Sequence, residues 1–280
     1  MTGAEPVDPE EAKARIRAVF EAAAPHFDAV PVWDRFGAAT VERAGLRAGM
    51  RVLDVCCGTG ASALPAARAV APGGSVVGVD FAERLLAVGR AKAAAAGLGN
   101  VRFEVGDLTA LGAGLGAAAS GGFDAVVCVF GVFFAPDMPA AAAGLWRAVA
   151  PGGTLAVTSW GRRLFEPVDE VIWAAVAAER PDLVRSDPPW RSIREPAGLA
   201  ALLAAAGAPE PVVDDETTVH PITPDDVWTM VQGSGYRGVF DAMGPAAAAR
   251  VREAIVTRLA DEGVTEATVE VLYARAARPA

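Results

Sequence analysis

Three aspartates offer the chain's clearest chemistry. Asp54 stands inside VLDVCCGTG, Asp80 ends SVVGVD and Asp107 ends VRFEVGD. Ionised carboxylates accept hydrogen bonds from hydroxyl and amino groups and attract cations. Behind Asp54, Gly58 and Gly60 flank Thr59, and glycines there adopt positive φ and let a ligand approach the backbone. A helix is expected from Ala61 to Ala71, and its first N–H groups suit an anionic group at the turn. Gly58, Gly60 and Ala63, with Asp80 further on, also meet the dinucleotide pattern G-x-G-x-x-A. Asp54 opposes that reading, because a pyrophosphate beside it is repelled whereas a ligand with a sulfonium and an ammonium is attracted.

The apolar runs holding these residues read as buried parallel strands, which places all three carboxylates at one carboxyl edge, where open α/β sheets bind ligands. There Asp80 is positioned for two ribose hydroxyls and Asp107 for an adenine amino group. With FDAVVCVFGVFF and APGGTLAVTSW, the motifs VLDVCCGTG, VVGVD and VRFEVGDL resemble, in order and spacing, those of class I S-adenosylmethionine (SAM) dependent methyltransferases of the ubiquinone/menaquinone type. The resemblance runs from about Phe27 to the end of the chain.

It implies SAM as cofactor and S-adenosylhomocysteine as product. Asp54, Cys56, Gly58, Thr59 and Gly60 would face the methionine end, Asp80 and Phe81 the ribose, and Asp107 and Leu108 the adenine. Phe27, Trp33 and Phe36 would close over the methionine end, with Cys128, Phe130 and Phe133 lining the reaction centre. Each of these rings equally suits plain core packing. Methyl transfer is an in-line displacement in which alignment supplies much of the acceleration. Where the acceptor arrives protonated, His26 or His220 offers a general base near neutral pH. Trp228, Tyr236 and Arg237 in WTMVQGSGYRG are substrate-contact candidates, the glycines giving a closing loop its freedom.

The implied fold is α/β, a doubly wound Rossmann-like sheet of seven strands, mostly parallel, with an antiparallel last hairpin. Helices are expected at Pro9 to Ala24 and Val32 to Ala44, with Pro25 and Pro31 interrupting the stretch between them. A loop is expected at 109–122, a helix at Met138 to Val149, a turn at Pro151-Gly152-Gly153 and a strand at TLAVTSW. Further helices are expected near Pro167 to Glu179 and at 196–207. The closing strands are Val212 to Val219 and Thr265 to Ala276, with three short lid helices between them and His220 at the head of the lid. The division is an N-terminal helical cap at 1–46, a cofactor-binding core at 47–160, an insertion at 161–195, and the rest of the core at 196–280 with its lid at 220–262.

Composition narrows the partners. The chain has 280 residues, 52% hydrophobic and 21% charged, with a net charge of −9. That size supports a full core, and that charge disfavours nucleic acid, since phosphate binding needs a basic surface. A small-molecule substrate is expected. Cys56, Cys57 and Cys128 are odd in number and beside strand ends, which favours free thiols in a reducing compartment. The acidic start MTGAEPVDPEEA lacks an export signal and the longest apolar run is too short to span a bilayer, so a cytoplasmic protein is expected. No H-x-x-x-H, paired metal carboxylates or C-x-x-C spacing occurs, so no metal is expected. Asp187-Pro188-Pro189-Trp190 matches the D-P-P-W of amino-group methyltransferases acting on nucleic-acid bases. Here it follows the fifth strand instead of the fourth, and it is read as a turn. An NAD-dependent oxidoreductase, and a SAM-binding protein that catalyses a cyclisation or only binds, remain the rival classes.

Overall fold

The computed structural model describes residues 8–30, 32–111, 122–184 and 187–280. Its elements are α1 (Pro9–Phe27), α2 (Val32–Ala44), β1 (Arg51–Val55), α3 (Ala63–Ala69), β2 (Ser75–Asp80), α4 (Glu83–Ala95), β3 (Val101–Val105), β4 (Phe123–Val129), α5 (Met138–Ala148) and β5 (Val149–Trp160). There follow α6 (Val168–Glu179), α7 (Pro196–Ala205), β6 (Val212–Pro221), α8 (Pro224–Gln232), α9 (Arg237–Met243), α10 (Pro245–Asp261) and β7 (Glu266–Ala277). One seven-stranded sheet in the order β3-β2-β1-β4-β5-β7-β6 runs through the molecule. Strands β1 to β5 are parallel, and β7 is antiparallel to both β5 and β6. The Rossmann-like, doubly wound reading therefore holds, including the last hairpin.

Parallel strands are covered by helices on both faces, and the apolar runs of β1, β2 and β4 are accordingly buried. The order of the strands puts the ends of β3, β2 and β1 on one side and those of β4 and β5 on the other. Every candidate motif in the first half of the chain converges on that edge.

Five expectations need correction. Helix α1 continues through Pro25 to Phe27, because a proline in a final turn removes only one intrahelical bond. Helix α3 starts at Ala63, and residues 57–62 form the turn before it. Pro151-Gly152-Gly153 is a register shift within β5 and not a turn ahead of it: Phe123 faces Val149, whereas Ala125 already faces Thr154. His220 lies in β6 opposite Ala267, because the strand runs on to Pro221, and α10 has 17 residues, longer than a short lid helix. Most of the loop expected at 109–122 lies outside the described residues.

Candidate cofactor and acceptor site

Asp54, the fourth residue of β1, is 1% exposed. Its Oδ2 accepts from Ser62 Oγ at 2.6 Å, while Oδ1 has no partner among the described residues. Burial pushes its pKa up to about 7, with the Ser62 hydrogen bond opposing the shift and Asp80 adding to it. Asp80 closes the turn: Gly58 N–H donates to Oδ2 at 3.0 Å and Ala82 N–H to Oδ1 at 2.9 Å. Burial raises its pKa to about 6 against those bonds. Gly58 has φ +53, and a Cβ there would point at the Phe27 ring, 3.5 Å away, so this glycine opens towards α1. Gly60, at φ +92, instead meets Phe103 of β3, which makes it a packing glycine.

Helix α1 lies across this edge and contacts it with side chains the sequence reading did not single out. Lys13 Nζ donates to Asp107 Oδ2 at 2.8 Å, and Thr109 donates its N–H and hydroxyl to Oδ1, both at 2.7 Å. Burial pushes Asp107 up, but these donors outweigh it and hold the carboxyl below its usual range. Glu21 accepts from the N–H groups of Glu83 and Arg84 at the start of α4. Asp28, just after α1, accepts from Thr59 Oγ1 and pairs with Lys92 at 3.1 Å. Phe20 bridges Phe27, Phe81 and Phe134. Leu108, in the short turn after Asp107, is buried.

A second layer, made of aromatic rings, occupies the edge beside this one. Phe27 stacks on Trp33 at 5.4 Å, Trp33 meets Phe130 at 6.0 Å and Trp160 at 5.8 Å, and Phe130 stacks on Trp160 at 3.8 Å. Phe130 immediately follows β4 and Trp160 ends β5, so these rings extend the cofactor edge towards the antiparallel strands. Trp33 Nε1 is buried and has no partner among the described residues. Below them, the Cys56 thiol is hydrogen-bonded to Cys128, and that bond and burial push its pKa well up. Cys57 and Cys128 are buried free thiols, and burial raises Cys57 as well. Phe133 lies one turn on and packs on Phe134 and Trp190.

His220 Nε2 is 2.8 Å from Thr218 Oγ1, and the ring stands edge-on to Phe36 at 6.2 Å. Burial, and then Arg35, lower its pKa, which keeps the imidazole neutral at pH 7. His26 sits in the final turn of α1, where its carbonyl caps the helix. The remaining candidates turn their polar groups to neighbours. Tyr236 gives its hydroxyl to Asp169 of α6, Arg237 pairs with Asp241, and Trp228 packs on Phe240 under Arg252. Asp187 pairs with Arg191 four residues on, as a turn motif does. Among the described residues no group of three or more His, Cys, Asp or Glu is arranged to hold a metal ion. Trp160 was open to prediction, as an aromatic at a strand's carboxyl end. Lys13, Glu21 and Asp28 carried no such signal.

The sheet and its carboxyl-edge aspartates define a Rossmann-like methyltransferase architecture. Residues 52–153, which include the strands and turns that hold the three carboxylates, match the family model described as a methyltransferase domain. The chain is 37% identical over 182 residues to nocamycin O-methyltransferase of Saccharothrix syringae, covering 60% of this chain and 58% of that one. It is 35% identical over 145 residues to demethylmenaquinone methyltransferase of Geobacillus kaustophilus, covering 50% and 60%. It thus spans less than two thirds of these curated relatives. The YcgJ protein of Bacillus subtilis shares its fold, with a TM-score of 0.55 and 18% identity over 88% of this chain and 99% of that one. So does the [4+2]-cyclase SpnF, with 0.53 and 22% over 88% and 80%.

The donor used by such a domain is SAM, and the buried Oδ1 of Asp54, an acceptor without a partner among the described residues, fits it.

Proposed function

We propose that the protein is a SAM-dependent methyltransferase that methylates a small molecule at oxygen, carbon or nitrogen, in the cytoplasm and within specialised-metabolite biosynthesis. The observation that carries the reading is the set of three strand-end carboxylates in a methyltransferase domain, one of them holding a buried free acceptor oxygen. When bound, SAM supplies an electrophilic methyl on a sulfonium. Asp54 offers Oδ1 to the ligand's ammonium, and Asp80, whose two oxygens keep further lone pairs, receives the ribose hydroxyls. Asp107 and Leu108 frame the adenine, with Lys13 yielding its place on Asp107 or sharing it. Phe27 covers the glycine turn and excludes water from it.

The acceptor side uses Trp33, Phe130 and Phe133, and His220 is the better placed of the two histidines to take a proton, being neutral and next to the rings. The relative from Saccharothrix syringae supports a specialised metabolite as substrate. Among the described residues no helix is long and apolar enough to cross a membrane.

Calorimetric titration with SAM, S-adenosylhomocysteine and NADH tests the cofactor. Binding of the two sulfur ligands without NADH is expected, and binding of NADH alone refutes the reading. Because SpnF shares the fold and is described as a cyclase, products are weighed. A mass raised by one methylene supports methyl transfer, whereas an isomer of unchanged mass supports cyclisation.

A further inference from the structure

Strand β6 is one of the two edges of the sheet, and the two edges differ. The other, β3, has 5 residues, whereas β6 has 10 and leaves Val212 and Val219 48% and 56% exposed. Ile222, just past the end of β6, gives its N–H to Thr265 O at 2.9 Å, while Thr268 and Glu270 of β7 direct theirs away from β6, to Glu166 O and Arg163 O. Bonding alternates along antiparallel strands, so the even-numbered residues of β6 are bonded to β7. The N–H and C=O groups of Val213, Asp215, Thr217 and Val219 therefore face outwards. Among the described residues no backbone group of another element bonds to them. Such an edge is a template for a further strand.

The order of its side chains decides which strand it accepts. The sequence is VVDDETTVHP, with Asp214, Asp215 and Glu216 in the first half and no acid in the second. A copy laid parallel and in register sets acid against acid, and so do antiparallel registers centred on Asp214, Asp215 or Glu216. Like charges directly opposite are destabilising. An antiparallel copy centred on Thr217 has no such conflict: it pairs Thr217 with itself, Glu216 with Thr218, Asp215 with Val219 and Asp214 with His220. Each outward N–H then meets an outward carbonyl, and Pro221, which has no N–H to give, falls at the end opposite Val213. On the Glu216 face Arg35, 51% exposed and paired with Glu216 at 2.5 Å, gives the incoming Asp214 a cation to approach.

We propose that β6 is the interface between two copies of this chain, which pair antiparallel about a two-fold axis at Thr217 and join their sheets into one. Both copies use the same strand, so the contact closes at a dimer. The assignment stands apart from the methyltransferase reading, and it sets Asp214 of the second copy opposite His220.

Light scattering over a dilution series tests it. The mass of a dimer is expected at the concentrated end. Thr217→Pro removes the central outward N–H and no bond to β7, so it should raise the dissociation constant at least about tenfold, the worth of the lost pair of hydrogen bonds. Proline is tolerated on an edge strand in that orientation, and a cooperative unfolding transition checks that the variant is folded. Thr217→Cys probes the register: mild oxidation with diamide should link two copies through it, because directly paired residues lie within disulfide reach. Asp215→Cys, which the register sets against Val219 and not against itself, should stay unlinked, as should the unmodified protein. A monomer at every concentration, a dimer unaffected by folded Thr217→Pro, or a link through Asp215→Cys and not through Thr217→Cys overturns the assignment. Should Thr217→Pro not fold, the two cysteine variants decide.

Discussion

Asp54 couples acidity to binding through one buried carboxylate. Its usual pKa of 3.8 is raised to about 7 by burial, so between those values the native state holds a proton that the unfolded chain has released. Stability therefore falls as pH rises through that window, by about 4 kcal/mol for a group so placed. A bound ammonium reverses the penalty by favouring the ionised form. Affinity for S-adenosylhomocysteine should accordingly rise between pH 5.5 and 7 with release of protons, measurable by calorimetry in buffers of different ionisation enthalpy. Asp54→Asn should flatten most of that rise, Asp80 contributing the rest through its own pKa near 6. A pH-independent affinity in the unmodified protein would refute the role of Asp54. For Asp80→Ala we expect at least tenfold weaker cofactor binding, together with lower stability, because the Gly58 and Ala82 N–H groups lose their acceptor. The three aspartates were legible in the sequence because Asp54 lies near the end of an apolar run and Asp80 and Asp107 close theirs. Lys13 was not, because its bond to Asp107 joins residues 94 apart and no local pattern pairs them.

At the scale of elements, α2 decides whether the cofactor and acceptor halves stay in register. It carries Trp33 and Phe36, and it passes so close to the ligand turn that a Cβ on Gly37 would fall 2.5 Å from Ala61 O. Gly37→Ala must push the helix off the turn; a loss of about 1 to 3 kcal/mol in denaturant unfolding is expected, with weaker cofactor binding. The other face of α2 is tied to β6 and β7 through Glu216, which accepts from Arg35 and from Tyr273 Oη and also faces Arg43. Burial pushes Glu216 up, but the hydrogen bonds from Tyr273 and Arg35 outweigh it and leave its pKa below 4.5. That stabilisation is complete above the unfolded pKa and is lost as pH falls through the lowered value. Glu216→Gln should thus destabilise by about 1 kcal/mol at pH 7, discounted for the exposure of Arg35, and by much less at pH 3. An equal effect at both pH values would mean the carboxylate charge is not what holds α2. Most of these elements were readable from apolar runs and glycine stops, α2 included. The path of α1 past Pro25 and the length of β6 were not, since docking on α4 and pairing with β7 override the local signals of proline and composition.

Over the whole molecule, the segments that sequence composition separates are joined by a single sheet. β7, the last strand, is inserted between β5 and β6, and it is the only named strand that β6 pairs with among the described residues. The strand order was not legible in hydropathy, which marks strands but cannot say which neighbour each will choose. A sheet continuous from the adenine edge to β6 implies one cooperative unit, so thermal unfolding should show one transition. Ligand binding to the native state alone then raises the stability of the whole. At a hundredfold excess of S-adenosylhomocysteine over its Kd the gain is about 2.7 kcal/mol, which for a chain of this size corresponds to an upward shift in Tm on the order of 5 °C. Scanning calorimetry with and without the ligand checks this. Two transitions, of which only the lower or only the upper moves, would show that the β6–β7 hairpin with its helices melts apart from the cofactor half, and would remove the rigid link through which α2 is held to both.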